Sequence, residues 1–394
     1  MPAPSRASGA VPNAVERVIR ELRRHLTGLP MGSALPSARA LMEELSVSPV
    51  TVSRAFAELA REGLVITRPG AGTFVAEPAR ARQRESSDWQ VVALGAAPPA
   101  SDLETLVSES SPRALALGNG YMDASLEPAA ELAKAAKRAL GVPGAWSRAP
   151  IEGLPELRRW FATRAGPAVD PGDVLVVQGG QAAIGTALRA VARSAHAGGG
   201  ADRRTVLVES PTYLGAMAAA RAAGLTPVPV PTDGGGIRCD FLQQAFETTG
   251  AQLLYLQPWF SNPTGSVLAS ERHAQVLELA RKHHAFVIED DYCRDLSHRG
   301  VEPRTLLGAD RDGHVIYIRS LTKSIAPSMR VAALIARGPI QARLRTARIV
   351  DDFFVPRPLQ AIALEFLTSS HYERHRRRLR STLAERMTAL VRAL

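Results

Sequence analysis

A chain of 394 residues with a formal charge of +10 is longer than one ordinary hydrophobic core supports, so two or more folding units are expected. Aliphatic residues are plentiful, yet no apolar run approaches the roughly 18 residues of a membrane span, and the polar start MPAPSRASGAVPNAVERV lacks a secretory segment, which argues against membrane insertion and export. The two cysteines, Cys239 and Cys293, match neither a disulfide framework nor a paired metal site; a reducing cytoplasm and no metal are expected.

The excess charge is unevenly placed. Residues 1–80 hold ten Arg against seven acids, whereas residues 371–394 hold seven Arg against two Glu. Half of the excess therefore sits in the last segment, which reads as a solvated basic helix, and charge alone does not argue for nucleic acid.

In chain order, the first unit lies within residues 1–78. Two helices are expected, Ser37–Leu45 and Pro49–Glu62, separated by the turn Ser46-Val47-Ser48. Ser48 is a suitable N-cap, and proline at the first helical position loses no needed hydrogen bond. Val52, Phe56 and Leu59 form one stripe that packs inward, which turns Arg54 and Arg61 outward. Two short strands, Leu64–Thr67 and Thr73–Val75, flank the turn Arg68-Pro69-Gly70-Ala71-Gly72, the pattern of a wing. A helix-turn-helix offers its second helix to the major groove while phosphate contacts fix the register.

This segment resembles the GntR family of winged helix-turn-helix regulators. The family pattern is met at Leu35-Pro36-Ser37, Arg39, Val47-Ser48, Thr51-Val52, Arg54-Ala55, Glu62-Gly63-Leu64 and Gly70-Ala71-Gly72-Thr73-Phe74. The resemblance implies that Arg39 and Arg54 contact DNA, that Ser48, Thr51 and Ser53 reach phosphates or base edges, and that Gly72 lets the wing approach the minor groove. Pro49 stands where many members carry Arg, so the operator is expected to differ.

Residues 79–113, rich in Ala, Arg, Ser and Pro, read as a linker. From residue 114 onward, apolar runs alternate with helical stretches: DVLVVQGG, TVLVES, QLLYLQP, FVIEDD and HVIYIRS, most of them followed by an amphipathic segment. That alternation predicts an α/β domain with a mostly parallel sheet, whose ligands sit at the carboxyl ends of the strands.

Five elements lie at such ends. Ser320, Thr322 and Lys323 follow a strand, with Arg330 seven residues beyond the lysine; a Schiff-base lysine beside hydroxyls and an arginine suits a phosphate-anchored aldehyde. Asp290 ends another buried run, where an unpartnered carboxylate would be costly, and Tyr292 follows it. Two acids capping the next helix would explain Asp291 but leave the apolar run into Asp290 unexplained. Asn262-Pro263-Thr264-Gly265 is a turn, weak evidence alone, and Gly179-Gly180-Gln181 opens a helix whose N–H groups suit phosphate. Tyr213 could stack on an aromatic ring.

Their order resembles fold-type I aminotransferases of the aminoadipate and kynurenine branch, and GLPELRRWFA and GNGYMDASLEP are also similar to that group. Behind a GntR-like reader, the arrangement resembles the MocR subfamily. The resemblance implies pyridoxal 5'-phosphate as cofactor, with Gly180, Gln181, Ser320 and Arg330 at its phosphate, Tyr213 on its ring, Asn262 and Tyr292 at its phenolic oxygen, Asp290 at its pyridine nitrogen, and Lys323 bonded to its aldehyde. Thr322 belongs to the same cluster. Asn262 follows true aminotransferases rather than many MocR proteins.

The family reading further implies a head-to-tail homodimer, operator DNA as partner, pyridoxal phosphate or a small amino compound as effector, and weak or absent transaminase activity. A working aminotransferase with an accessory DNA-binding domain is the alternative. Because aminotransferases of this type continue into a small domain, the chain's stop at Leu394 leads to the expectation that most of that domain is missing.

Overall fold

The computed structural model describes residues 13–68, 70–76, 120–192, 204–297 and 304–394; Pro69 and the expected linker at 79–113 lie outside them. The chain divides into two compact units, Met1–Pro98 and Pro99–Leu394.

Helix α1 (Ala14–Gly28) of the first unit starts at a capping box, in which the Asn13 side chain accepts from Glu16 N–H and the Glu16 carboxylate from Asn13 N–H. Such reciprocal bonds satisfy donors that a helix start leaves unpaired. Ser37 and Ser48 do the same for α2 (Ala38–Leu45) and α3 (Pro49–Arg61), and Pro49 takes the first helical position. The tight turn between them needs a left-handed residue, supplied by Ser46 at φ 48°. Helix α3 ends at Arg61, one residue before the expected Glu62, which forms its C-cap. Val18, Leu22, Leu41, Val52, Ala55, Phe56, Leu59 and Val65 make the small core. Strands β1 (Val65–Arg68) and β2 (Gly72–Val75) are each one residue off the expected ranges at one or both ends, because the cross-strand pair Arg68↔Gly72 still belongs to the ladder. Backbone bonds from Leu35 N–H to Thr73 and from Val75 N–H to Ser33 tie the wing to the chain before α2.

The second unit holds an eight-stranded sheet in the order β3-β10-β9-β8-β7-β4-β5-β6. Its strands are β3 (Val174–Val177), β4 (Thr205–Ser210), β5 (Thr226–Asp233), β6 (Gly236–Ile237), β7 (Leu253–Leu256), β8 (Phe286–Asp291), β9 (Val315–Ser320) and β10 (Ala332–Ile335). The run β9-β8-β7-β4-β5 is parallel throughout. Side chains alternate across it: Val174 and Val176 join the core on one face, Leu175 and Val177 the core on the other, as the two-residue period of a strand requires. Strand β5 carries proline at 227, 229 and 231, so its missing donors share one parity and its other residues keep their N–H groups for the ladder.

Strand β10 runs antiparallel to both β3 and β9. Its start therefore lies beside the carboxyl ends of its neighbours, with Ala332 opposite both Val177 and Ser320. A residue just before β10 is thereby delivered to the rim where the other strands end.

Helices α4 (Ala129–Leu140), α5 (Pro155–Ala165), α6 (Gly179–Ala192), α7 (Leu214–Ala222), α8 (Cys239–Thr249) and α9 (Ser270–Lys282) are followed by α10 (Leu306–Ala309), α11 (Ile340–Asp352) and α12 (Arg357–Leu367). The basic C-terminal segment forms α13 (Ser370–Ala393), which buries Tyr372, His375, Arg376 and Leu379. Among the described residues, no helix is long and apolar enough to cross a membrane and no cluster of metal-ligating side chains occurs.

Candidate functional site

The reader's surface follows from its caps. Packing Val52, Phe56 and Leu59 inward leaves Ser53 and Arg54 exposed on the opposite side of α3, next to exposed Ser48 and Val50. Ser48 Oγ accepts from Thr51 N–H at 3.2 Å and lies 2.9 Å from Thr51 Oγ1, so these two hydroxyls order the first turn of α3. Arg39 is exposed and pairs with Glu43 one turn on, at 3.2 Å; so exposed a pair is worth little and yields readily to a phosphate. Gly72 has φ +107° and nothing within 4 Å of where a Cβ would lie. Glycine is required there by the backbone conformation, and the outside of the wing is open.

The second site lies along the rim of the large sheet. Asp290, near the end of β8, is buried. Its Oδ2 accepts from Tyr255 Oη and from Gln257 Nε2, both at 2.8 Å, while its Oδ1 is buried with no hydrogen-bond partner. Burial pushes its pKa up to about 6 against the pull of those two donors. A buried acceptor left open on an otherwise bonded carboxylate is where a cationic N–H donor would be matched.

The two acids beside Asp290 are otherwise engaged. Glu289 accepts the N–H groups of Leu306 and Leu307 at 3.0 and 2.9 Å, at the start of α10. Asp291 accepts from Tyr317 Oη at 2.7 Å and pairs with Arg294 at 2.9 Å. Asp291 Oδ1 is likewise buried without a hydrogen-bond partner, but Asp291 is tied to Tyr317, which belongs to the core on the other face of the sheet from Tyr255; the open oxygen beside Tyr255 and Gln257 is that of Asp290.

Around it, the loops carry the other expected residues. Tyr213 Oη donates to Gln181 Oε1 at 3.1 Å, and Gln181 Nε2 donates to Gly215 O at 2.8 Å. Burial raises the Tyr213 phenol, with the charge of Asp290 and the phenol of Tyr121 adding to it. Gln257 Oε1 accepts the N–H of Asn262 at 2.9 Å, which fixes the Asn262-Pro263 turn next to Asp290; the Asn262 side chain itself is exposed. Tyr292 Oη donates to Phe260 O at 2.7 Å, so that hydroxyl braces the same turn.

On the other side of the rim, Arg330 arrives at the start of β10 and donates to Gln178 O at 3.1 Å. A Cβ on Gly179, which has φ +82°, would meet the Arg330 guanidinium at 2.7 Å, and one on Gly180 would lie 3.5 Å from the Ser320 side chain. At Gly179 only glycine suits both the backbone conformation and the close guanidinium, whereas a Cβ on Gly180 would make an ordinary contact; the result is a cradle of helix N–H groups, a hydroxyl and a guanidinium. Ser320 Oγ accepts Thr322 N–H at 3.2 Å, whereas Thr322 Oγ1 donates to Met329 O at 3.3 Å; the threonine hydroxyl thus closes the loop that bears Lys323. The lysine's pKa is lowered to about 8 by burial and by Arg330.

Sequence reasoning assigned no role to Tyr255, Gln257, Glu209 or Tyr121. Glu209 is buried, accepts Gln257 N–H at 2.8 Å and Ser261 Oγ at 3.3 Å, and is raised to about 7 by burial. It holds the strand end that presents Gln257 to Asp290. Tyr121 places its ring 3.7 Å from Lys323 Nζ.

The two units define a class: a winged helix-turn-helix reader joined to a body of the aminotransferase fold. The profile described as "Bacterial regulatory proteins, gntR family" matches residues 14–75, and "Aminotransferase class I and II" matches residues 114–394. The HTH-type transcriptional regulator YjiR of Escherichia coli (strain K12) is 31% identical over 93% of this chain and 76% of its own length. The probable rhizopine catabolism regulatory protein MocR of Rhizobium meliloti is 27% identical over 92% and 73%. Among solved structures, the α-aminoadipate aminotransferase LysN of Thermus thermophilus, complexed with N-(5'-phosphopyridoxyl)-L-leucine, superposes with a TM-score of 0.64 at 28% identity over 78% of this chain and 77% of that one. The chain belongs to the class I and II aminotransferase family in its body and, as a whole, to the HTH-type transcriptional regulators of the MocR subfamily. Pyridoxal phosphate is the cofactor of that fold, and the open Asp290 oxygen and the glycine-lined cradle beside Arg330 fit it.

Proposed function

We propose that this protein is a DNA-binding regulator whose body binds pyridoxal phosphate on Lys323, and that occupancy, or an amino compound reacting there, biases how a head-to-tail dimer presents its two readers. The observation that carries the proposal is the buried, unmatched Oδ1 of Asp290 on the same rim as Lys323 and the Gly179–Arg330 cradle. Asp290 would keep the pyridine nitrogen protonated, Gly180, Gln181, Ser320 and Arg330 would hold the phosphate, and Tyr213 would cover the ring. Asn262 and Tyr292 would lie toward its phenolic oxygen. The bound cofactor supplies an aldehyde that joins to amines and a ring that withdraws electrons.

Lys323 is suited to its part because burial and Arg330 lower its pKa to about 8. About a tenth of its amine is then neutral and nucleophilic at pH 7, far more than for an ordinary lysine. Arg39, Arg54, Ser48, Thr51 and Ser53, with the wing at Gly72, would face operator DNA. A ligand shifts the dimer only through unequal affinity for its arrangements, and the coupling is reciprocal, so DNA would alter effector affinity by the same factor.

The purified full-length protein should show the visible absorbance of lysine-bound pyridoxal phosphate, and Lys323→Ala should remove it. A colourless wild type that stays colourless with added cofactor overturns the cofactor reading. Rapid turnover of an amino acid with an oxo acid would instead favour the enzyme reading, towards which the 29% identity to the 2-aminoadipate transaminase of Thermus thermophilus, over 74% of this chain and 72% of that protein, also points.

A further inference from the structure

We propose that Tyr121 is a positioning residue for Lys323, its ring face holding the lysine ammonium at the rim of the site. The proposal deepens the reading of Lys323 as the cofactor lysine, but its geometry and its test are independent of any bound cofactor. Lys323 Nζ lies 3.7 Å from the centroid of the Tyr121 ring. At that range the negative face of an aromatic ring attracts a cation, and the attraction grows as water is removed. The preceding residue has given up its side chain at the same place: a Cβ on Gly120, which has φ +57°, would stand 3.8 Å from Nζ.

The ring and the amine are held from one common support. On α13, His375 Nε2 is 2.7 Å from Ser324 O, directly after the lysine. Three residues on, Arg378 donates to Ser125 O at 3.2 Å. Ser125 in turn closes the turn behind Tyr121 by donating its N–H to Asp123 Oδ1 at 3.0 Å. One face of one helix therefore fixes both partners, so their approach is set by the fold.

The charged group acting on the lysine from its own loop is Arg330, and from the adjoining loop the Tyr213 phenol stands near enough to Tyr121 for the two to interact. Burial and Arg330 both disfavour the ammonium, and the Tyr121 face acts against them. Its removal should leave the amine less basic, and a phenylalanine, which keeps the face and loses only the hydroxyl, should replace it.

The experiment follows Lys323 on the full chain after cofactor is stripped with hydroxylamine. The rate at which trinitrobenzenesulfonate modifies Lys323 is measured by peptide mass spectrometry as a function of pH. Tyr121→Leu should lower the inflection by about half a pH unit, the size of one cation–π contact converted at 1.36 kcal/mol per unit, while Tyr121→Phe stays at the wild-type value. Circular dichroism verifies that the leucine variant is folded. If it is not, a variant carrying fluorinated phenylalanine at position 121, whose in-plane fluorines draw electron density from the ring face and weaken the quadrupole, must give the same downward shift. A wild-type inflection in the leucine variant, or in the fluorinated ring when that stands in for it, overturns the proposal. So does a phenylalanine variant that has shifted, since that would assign the effect to the hydroxyl. Absence of cofactor absorbance would sink the cofactor reading and leave this measurement standing.

Discussion

The reader and the rim of the body solve opposite problems with polar side chains. On α3 and the wing, the residues expected to meet DNA are on the surface, where their polar groups keep water until a phosphate replaces it. On the rim, Asp290, Ser320 and Thr322 are buried, and Asp290 retains an acceptor that no protein group fills. A surface site is nearly free of stability cost but depends on several weak contacts; a buried site is costly to keep open and gains strongly when filled.

The sharpest way to break this contrast is Asp290→Asn. Removing one partner of a buried charge pair costs about 3–5 kcal/mol, so cofactor retention should fall by a hundredfold or more. The same variant should leave the cofactor-free body no less stable, because the neutral amide still accepts from Tyr255 and Gln257 without a buried charge. Unchanged cofactor retention in equilibrium dialysis would remove Asp290 from the site. On the reader, Arg54→Ala and Arg39→Ala should each weaken retention of the protein's own upstream DNA by about tenfold, one contact at a time. If neither variant differs from wild type in gel retention at matched salt, the reader assignment fails.

The next effect is one of pH. Asp290, Glu209 and Glu289 are raised by burial to about 6, 7 and 8. An acid whose pKa is higher folded than unfolded binds its proton more tightly in the fold. Its contribution is therefore fully present below the unfolded value near 4 and is lost as pH rises through the folded one. His273 and His283, lowered by burial, oppose this as pH rises toward the ordinary histidine value, and Lys323, lowered to about 8, opposes it only between about 8 and its ordinary value near 10. The cofactor-free body should therefore unfold at a lower temperature at pH 7.5 than at pH 5, by roughly 5 °C, and pyridoxal phosphate should narrow the gap. A midpoint that rises over that interval in calorimetry contradicts the burial of these acids.

How much of this was legible in the sequence differs between the two regions for the same reason. The reader's caps and turns are local: Ser48, Pro49 and the wing glycines act on residues within a turn of themselves, so their spacing specifies the structure to within a residue or two. On the rim, Asp290 and Lys323 were visible because each ends an apolar run. The groups that hold Asp290 were not. Tyr255 and Gln257 belong to β7 and the residue just after it, more than thirty positions earlier, and reach it only because β7 is the parallel neighbour of β8. The reversal of β10 was equally hidden, since AALI reads as a strand without direction; yet that reversal is what brings Arg330 to the phosphate cradle.

The smallest expected effect tests how far the reader's surface really is separate from its stability. Ser37 and Ser48 cap α2 and α3 in the same way, each side chain accepting a backbone N–H three residues on at 3.2 Å. Replacing either by alanine should cost about 1 kcal/mol, seen as a fall of several degrees in the unfolding midpoint of so small a domain. Only Ser48 stands at the entry to the recognition helix, where its hydroxyl is expected to serve DNA as well. Ser48→Ala should therefore lose more DNA affinity than Ser37→Ala at equal loss of stability, and Ser48→Asn, which caps as well as serine does, should recover the midpoint without recovering the affinity. If the two alanine variants bind DNA alike, Ser48 is a cap alone, and the DNA-facing surface of α3 begins at Thr51.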